Sequence, residues 1–386
     1  MPTAPLSSRA ALSLVFMGFG ALVGCWAGSI PAVARAASAG NLELGMGLSV
    51  STLASVAVMG FGGRLARKFA SRPLIATALA LSALSTVLLL LSGSPMAFLL
   101  NITLFGASLG LLDVSMNAEA GAIERELKRP VFTSFHGAFS AAIPPFAIIA
   151  SAVSVSYGLQ YTALAALAVP AIGIVAALTG LPNRTPAPAA TSLQTGSRHG
   201  LALTLLGLAA GASMVVETSA IFWSAKLLDE MAPSLATYAG LGVAFFAACT
   251  AAVRLPGDLL RARFNELPLL LVSLAIAAAG CIVLGQSNSF ALSVAAFASI
   301  GFGTAIISPS IFAIAARMTP ENSAGGIGKV ALVTGLPRIA APWVFGWVAE
   351  GSGIAAAFGL CAAILAVAFA LLVVLRAQGQ RQAPAA

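Results

Sequence analysis

The sequence is poor in charge. Asp, Glu, Lys and Arg make up only 8% of its 386 residues, whereas an ordinary soluble protein has about 25%. A soluble fold of this size could not cover its surface with so few charges, so a soluble globular class is excluded. Hydrophobic residues reach 59%, which excludes an intrinsically disordered chain for the opposite reason. The mean hydropathy of +0.98 therefore indicates a protein whose solvent is lipid.

Histidine and cysteine are also scarce, with two and four residues. No Cys-x-x-Cys or Cys/His ligand spacing occurs, so neither a metal site nor a disulfide framework is predicted. An intramembrane enzyme would need clustered His, Asp and Glu or a nucleophile–base pair, and we expect no enzyme. The net charge of +8 is scattered between apolar runs, which argues against nucleic-acid binding. The four cysteines, expected to be small core side chains, are Cys25, Cys249, Cys281 and Cys361.

Long stretches without charge give the number of membrane spans. A helix needs about 20 apolar residues to cross a bilayer. Three stretches, 73–112, 130–183 and 267–316, are each long enough for two spans and break at polar or glycine residues near 92–95, 156–158 and 286–289. Six further apolar segments bring the total to twelve; they lie near 10–34, 44–66, 201–224, 236–256, 328–349 and 354–375.

The Lys/Arg bias of the loops predicts the orientation. With the N-terminus inside, one side collects nearly all basic residues, and the other side has only Arg35 and Lys226. Both termini are therefore predicted to be cytoplasmic in a multi-pass membrane protein.

The two halves of the chain repeat. Residues 63–69 (GRLARKF) follow the second span, and residues 257–264 (GDLLRARF) follow the eighth. A polar, proline-containing stretch at 182–200 separates the halves and reads as a cytoplasmic linker. The predicted fold is an all-α polytopic membrane protein with two six-helix bundles, residues 1–181 and 201–386. Two such bundles in parallel repeat are typical of the major facilitator fold, in which substrate binds between the bundles.

Several motifs resemble one group of that superfamily. Residues 113–117 (DVSMN) and 134–140 (SFHGAFS) are similar to the fourth and fifth helices of its YbjJ/MosC-like members. Residues 26–31 (WAGSIP) resemble the first helix of the group, Glu217 with Trp223-Ser224 the seventh, and Pro342, Gly346 and Glu350 the eleventh. The resemblance implies a bacterial inner-membrane permease. One member lies in a rhizopine locus, which suggests inositol- or sugar-like solutes by analogy.

This chain also departs from the group. Ser29 stands where members usually carry Arg, and Phe222 stands where they carry Asp. In the loop after the second helix, Arg67-Lys68 replaces the usual Asp-Arg. Lys329 and Arg338 have no usual counterpart. The substrate is therefore expected to differ from that of the relatives.

Asp113, Asn117 and His136 form the first candidate cluster. Asp113 and Asn117 are four residues apart and share a helix face. A carboxylate within the membrane is costly and by default marks a functional site, here a proton carrier. The alternative is a hydrogen-bond network that steadies the helices. The hairpin geometry can bring His136 close to Asp113 or Asn117, as a protonatable group or a fixed structural one.

Glu217 and Arg338 are the second pair of candidates. Glu217 has no Lys or Arg within one turn of its own helix, so it either protonates, binds substrate or finds a cation elsewhere. Arg338 lies midway along the eleventh span and keeps its charge, so it must face protein or water. It is expected either to pair with Glu217 or to bind an anionic substrate.

The remaining candidates are loop charges and aromatic residues. Arg64 and Arg67 after the second span, and Arg254 with Asp258 after the eighth, are expected to mark topology and brace the inward ends. Trp26 and Trp223 are candidate cavity walls, although aromatic residues more commonly lie at the lipid interface.

These observations together predict a secondary active transporter. It would move a small polar solute, such as a sugar, a cyclitol or an organic anion, by alternating access. No ATP-binding motif is present, so we expect no cofactor and a proton gradient as the driving force. The expected partners are a small-molecule substrate and the bilayer, with the protein a monomer. A drug or metabolite efflux pump and a non-transporting membrane sensor remain as alternatives.

Overall fold

The computed structural model describes residues 7–128, 131–184, 200–257, 263–319 and 323–382. Within these residues, twelve helical segments are long and apolar enough to cross a membrane, as the charge-free stretches predict. We number them α1–α12. Their bounds are α1 Ser8–Ala36, α2 Asn41–Lys68, α3 Ser71–Leu90, α4 Pro95–Leu127, α5 Phe132–Ser156, α6 Leu159–Ala165 and Ala168–Gly180, α7 Gly200–Met231, α8 Pro233–Tyr238 (3-10) and Leu241–Arg254, α9 Glu266–Gln286, α10 Phe290–Thr304 and Ile307–Met318, α11 Ser323–Ser352, and α12 Ile354–Gln382.

Local sequence signals explain where the helices begin and turn. Ser94 caps α4 by accepting a hydrogen bond from the Ala97 N–H, and Pro95 occupies the first turn, where no N–H is needed. The tight turn between α5 and α6 runs through Gly158 at φ +102°, and the turn into α12 runs through Gly353 at φ +87°. Glycine adopts this backbone conformation without strain, so each hairpin closes within a few residues.

The helices alternate in direction, so their loops fall on two ends of the molecule. We call the end with the α1–α2 turn and Glu350 the outer end, and the opposite end, with the start of α1, the inner end. Helices α1–α6 form the N-terminal bundle and α7–α12 form the C-terminal bundle. The predicted linker, 182–200, lies mostly outside the described residues, and the domain boundaries at 181 and 201 stay a prediction.

The two bundles meet through α2 with α11, through α5 with α8 and through α1 with α7. Among the described residues, every hydrogen bond that joins the bundles lies in the outer half. They include Arg35 with Asp229, and the Asn41 N–H donating to the Glu350 carboxylate at 2.9 Å. The outer end is therefore closed in this structure.

Candidate functional site

A small cavity of about 140 Å³ lies between the two bundles, inward of the closed outer end. Helices α2 and α4 line it from the N-terminal bundle, and α7 and α11 from the C-terminal bundle. Its walls combine aromatic rings, Phe105 and Phe222, with hydroxyl groups. The hydroxyl-bearing residues are Ser51, Thr52, Ser55 and Thr218. Hydroxyls can both donate and accept hydrogen bonds, so the cavity suits a small polar solute.

Arg338 supplies the formal charge on the cavity wall. It lies at the centre of α11, as predicted, and is exposed towards the cavity. Pro337 and Pro342 flank it, and each proline leaves one backbone carbonyl of α11 without its helical donor. Arg338 makes no hydrogen bond or salt bridge with any residue that the structure describes. The guanidinium is thus available to a ligand.

Asp113, Asn117 and His136 are brought together, as the hairpin geometry predicts. The Asn117 Nδ2 donates to Asp113 Oδ1 at 2.9 Å and to the Asp113 backbone carbonyl at 2.9 Å. Because that carbonyl can only accept, the Asn117 Oδ1 must face His136, whose Nε2 lies 3.1 Å away. His136 Nε2 is therefore the donor, and this series of hydrogen bonds determines that the proton is on Nε2.

Asp113 lies close enough to Arg338 for a direct electrostatic attraction across the two bundles. No salt bridge within 4.0 Å joins Asp113 to any described residue. The guanidinium on the cavity wall, from the C-terminal bundle, thus lies within the electrostatic field of a carboxylate of the N-terminal bundle that is not itself part of the cavity lining. Opposite charges in a weakly hydrated space attract over such distances.

Glu217 has a partner that the sequence did not indicate. Arg254 Nη2 donates to Glu217 Oε2 at 2.7 Å, and the Ser213 hydroxyl donates to the other carboxylate oxygen at 3.4 Å. Arg254 also donates through Nε to the Ala305 carbonyl at 3.2 Å. The predicted pairing of Glu217 with Arg338 is therefore wrong. Arg254 ties together α7, α8 and α10 inside one bundle.

The structure describes only part of the set of loop charges that was predicted to brace the inward ends of the helices. Asp258 and the side chains of Arg64 and Arg67 lie outside the described residues. Arg254 was predicted to pair with Asp258, one turn further along the chain. Its observed bond to Glu217 places it inside the C-terminal bundle, where it also lies within electrostatic range of His136.

The two tryptophans differ in their surroundings. Trp223 is buried against the Phe345 ring, with ring centroids 4.7 Å apart, and reaches a small pocket that it shares with Arg338. Trp26 is fully buried between Phe98 and Phe105 and does not line the cavity at Arg338. Trp223 therefore remains a candidate site residue. Trp26 instead packs against Phe105, which lines the cavity.

An apolar cavity of about 590 Å³ lies elsewhere. Its lining comes only from α7, α11 and α12, so it belongs to one bundle and not to the interface between bundles. Lining residues such as Leu208, Ala340 and Val367 are exposed on a surface that faces lipid in a membrane. We therefore place the candidate site at Arg338. Among the described residues, no three His, Cys, Asp or Glu side chains group as a metal site.

The comparisons with known proteins agree with this architecture. The sequence profile of the Major Facilitator Superfamily matches residues 203–386. The chain is 26% identical to an uncharacterized MFS-type transporter of Yersinia pestis over 364 residues, covering 93% of each chain. It is 27% identical to membrane protein MosC of Rhizobium meliloti over 350 residues, covering 89% of this chain and 84% of MosC.

Solved structures share the fold at low sequence identity. The nucleoside transporter NupG superposes with a TM-score of 0.73 at 15% identity, over 95% of this chain and 99% of NupG. The human organic anion transporter MFSD10 gives 0.63 at 17% identity, over 96% of this chain and all of MFSD10. The Yersinia pestis relative and both solved structures are named as transporters and not as enzymes. The C-terminal half of the chain thus matches the Major Facilitator Superfamily, and the predicted resemblance to MosC is confirmed over 89% of the chain.

Proposed function

We propose that the protein is a proton-coupled secondary transporter of a small polar solute that carries a carboxylate or a phosphate. The observation that carries the proposal is Arg338, an exposed guanidinium in the cavity between the bundles with no hydrogen-bonded partner among the described residues. A guanidinium cannot lose its charge at physiological pH, and a charge at mid-membrane depth must be compensated. An anionic group of the solute would compensate it through two parallel hydrogen bonds.

The size and lining of the cavity support a small solute over a drug. Sites for drug-sized ligands commonly enclose 300–1,000 Å³, whereas the cavity at Arg338 has about 140 Å³. Four hydroxyl-bearing side chains line it, which suits the hydroxyls of a sugar acid or a cyclitol phosphate. One structural neighbour is named an organic anion transporter and another a nucleoside transporter, and both names describe polar solutes.

Asp113 is our candidate for the proton carrier. Glu217 is held by Arg254 and Ser213 within its own bundle. Among the described residues, Asp113 has only the Asn117 amide as a side-chain donor, and it lies within electrostatic range of the cavity guanidinium of the other bundle. A proton on Asp113 would release Arg338 for the anion, which links the binding of the proton to the binding of the solute.

We also propose that the protein lies in the bacterial inner membrane with both termini in the cytoplasm. Labelling of a cysteine at Thr191 with an impermeant thiol reagent in intact cells tests this orientation, and we expect that cysteine to resist the reagent.

The test uses pairs of solutes that differ in charge. Glucuronate is compared with glucose, and myo-inositol 1-phosphate with myo-inositol, by thermal shift of the purified protein and by uptake into proteoliposomes. The anionic member should stabilise the protein and the neutral one should not. Arg338→Lys should weaken binding of the anion at least about tenfold, because losing a charge-assisted contact costs about 1.5–3 kcal/mol.

Arg317 provides a matched control. It pairs with Glu266 at the inner end of the C-terminal bundle, away from the cavity. Arg317→Lys should leave affinity unchanged. Equal stabilisation by neutral and anionic members, with no effect of Arg338→Lys, would remove Arg338 from the site. Binding without uptake of any solute would instead favour the sensor alternative.

A further inference from the structure

The apolar cavity of the C-terminal bundle is a groove between α7, α11 and α12 that the candidate solute site does not use. Its volume is about 590 Å³, and all sixteen residues that line it are apolar. Six of the sixteen are alanine, and these small side chains leave the space between the three helices open. Leu208, Ala340 and Val367 are exposed, so the groove opens sideways into the membrane.

A groove with this lining suits an acyl chain and not water. Water finds no strong hydrogen-bonding side chain on the lining, whereas a hydrocarbon chain gains dispersion contacts along it. Val215 and Ala341 line both the groove and the small pocket that contains Arg338. A chain in the groove therefore packs directly behind the candidate solute site.

Lys329 lies inward of the groove, on the same side of α11. It precedes Ala340 by eleven residues, which is about three helical turns, so the two residues lie on one face of the helix. Nine residues separate Lys329 from Arg338 at the centre of the span, a rise of about 14 Å. Half of the hydrocarbon core is about 15 Å thick, so Lys329 lies at the depth of the lipid phosphates.

The positive charge of Lys329 has no acidic partner among the residues that the structure describes. Its Nζ donates to the Gly200 carbonyl oxygen at 2.7 Å, which uses one of three protons and neutralises no charge. Arg376 of α12 is exposed at a similar depth, because Lys329 lies 24 residues before the Gly353 turn and Arg376 lies 23 residues after it. Arg376 also has no ion pair within the described part of the chain.

We infer that the groove and Lys329 form a binding site for an anionic phospholipid of the leaflet at the inner end. The lipid phosphate pairs with the Lys329 ammonium, and one acyl chain runs outward along the groove. Lys and Arg residues near a membrane surface attract lipids with a net negative charge, whereas the cationic headgroup of a zwitterionic lipid opposes the attraction. The inference is independent of the solute and of the direction of transport.

Native mass spectrometry of delipidated, full-length protein measures the binding of single lipids. Dioleoyl phosphatidylglycerol is compared with dioleoyl phosphatidylcholine, which has the same chains and no net charge. We expect phosphatidylglycerol to bind at least about fivefold more tightly, which corresponds to the ~1 kcal/mol that one basic residue contributes near a membrane surface. Glycerol 3-phosphate at the same concentrations should not bind, because it lacks the acyl chains.

Lys329→Gln tests the contact with the headgroup. Glutamine can still donate to the Gly200 carbonyl oxygen but carries no charge, so this variant should bind phosphatidylglycerol about fivefold more weakly and phosphatidylcholine as before. Lys329→Arg should keep the preference for phosphatidylglycerol. Lys226→Gln is a matched control, because Lys226 pairs with Glu230 near the outer end, away from the groove, and its loss should leave lipid binding unchanged.

Ala363→Phe tests the contact with the acyl chain. Ala363 is an exposed residue of α12 that lines the groove, and a phenyl ring there occupies the space of the chain. This variant should bind both lipids at least about threefold more weakly. Ala366 on the same helix is also exposed but does not line the groove, so Ala366→Phe is the matched control and should bind both lipids normally.

Three results would overturn the inference. The first is equal binding of the two lipids by the unaltered protein, and the second is an equal effect of Ala363→Phe and Ala366→Phe. The third is an equal loss of both lipids in Lys329→Gln, which would give the lysine a structural role only. If Lys329→Gln does not fold, the first two comparisons still decide, because neither changes a residue of the packed core.

Discussion

The pairing of Glu217 with Arg254 leads to a prediction that separates a structural carboxylate from a proton carrier. The perturbation is Glu217→Gln, which leaves the Arg254 guanidinium without its counter-ion inside the C-terminal bundle. Two unit charges about 4 Å apart attract by about 4 kcal/mol at an effective dielectric constant of ~20. The side chains are 22% and 14% exposed, so solvent screening reduces the pair to about 2 kcal/mol.

Thermal unfolding in detergent measures this loss. A unit of 150–250 residues, the size range of one bundle, loses about 2–4 °C in Tm for each kcal/mol. Glu217→Gln and Arg254→Gln should therefore each lower Tm by about 4 °C or more. The double variant leaves neither charge unpaired, and the double-mutant cycle should recover a coupling of about 2 kcal/mol.

Transport by the same variants tests the assignment further. If Asp113 carries the proton, Glu217→Gln protein that reaches the membrane should keep uptake that responds to a pH gradient. Two results would refute the reasoning: additive effects of the two single changes on Tm, or loss of pH-driven uptake in Glu217→Gln with solute exchange preserved.

Two other predictions concern carboxylates of α4. Asp113→Asn should bind the anionic solute and exchange it across the membrane, yet lose uptake driven by a pH gradient, because the proton site is gone; loss of exchange as well as uptake would indicate a structural role. Glu119 is fully buried and accepts from Arg184 at 2.6 and 3.1 Å, whereas Glu126, which also pairs with Arg184, is 59% exposed in its side chain. Glu119→Gln should cost about 3–5 kcal/mol of unfolding free energy and Glu126→Gln at most about 1 kcal/mol, and equal effects in chemical denaturation would contradict the burial argument.

The sequence predicts the spans and one part of the candidate site well, because both depend on local spacing. A membrane span needs a long apolar segment, and the charge-free stretches of the sequence show where such segments lie. The twelve candidate spans of the described residues therefore lie where the sequence predicts them. Asp113 and Asn117 are one turn apart on a single helix, and His136 lies on the next helix after a short loop. A hairpin restricts how far apart such residues can be, so their contact follows from chain order.

Contacts between helices that are distant along the chain could not be predicted from local spacing. Local spacing favoured Asp258, which lies outside the described residues, as a partner of Arg254, and it gave no indication that the rotation of α8 about its axis turns Arg254 towards Glu217 of α7. Hydrophobic periodicity is weak when a helix is apolar on every face, so the sequence carries little record of that rotation. The bond between Glu350 and the start of α2, 308 and 309 positions away, is missed for the same reason.

The charges of the site give a physical reason for two bundles to move together with their solute. The charge of Arg254 is neutralised by Glu217 within the C-terminal bundle, so this ion pair stays intact when the bundles move relative to each other. Arg338 lies in the same bundle, but the nearby carboxylate of Asp113 belongs to the other. Separating the bundles therefore weakens the attraction on Arg338 unless a solute anion replaces it. A ligand shifts a conformational equilibrium only by its differential affinity for the two states. Under the proposed function, an anion bound to Arg338 would supply that difference, because among the described residues that line the cavity Arg338 is the charged one, and its compensation depends on both bundles.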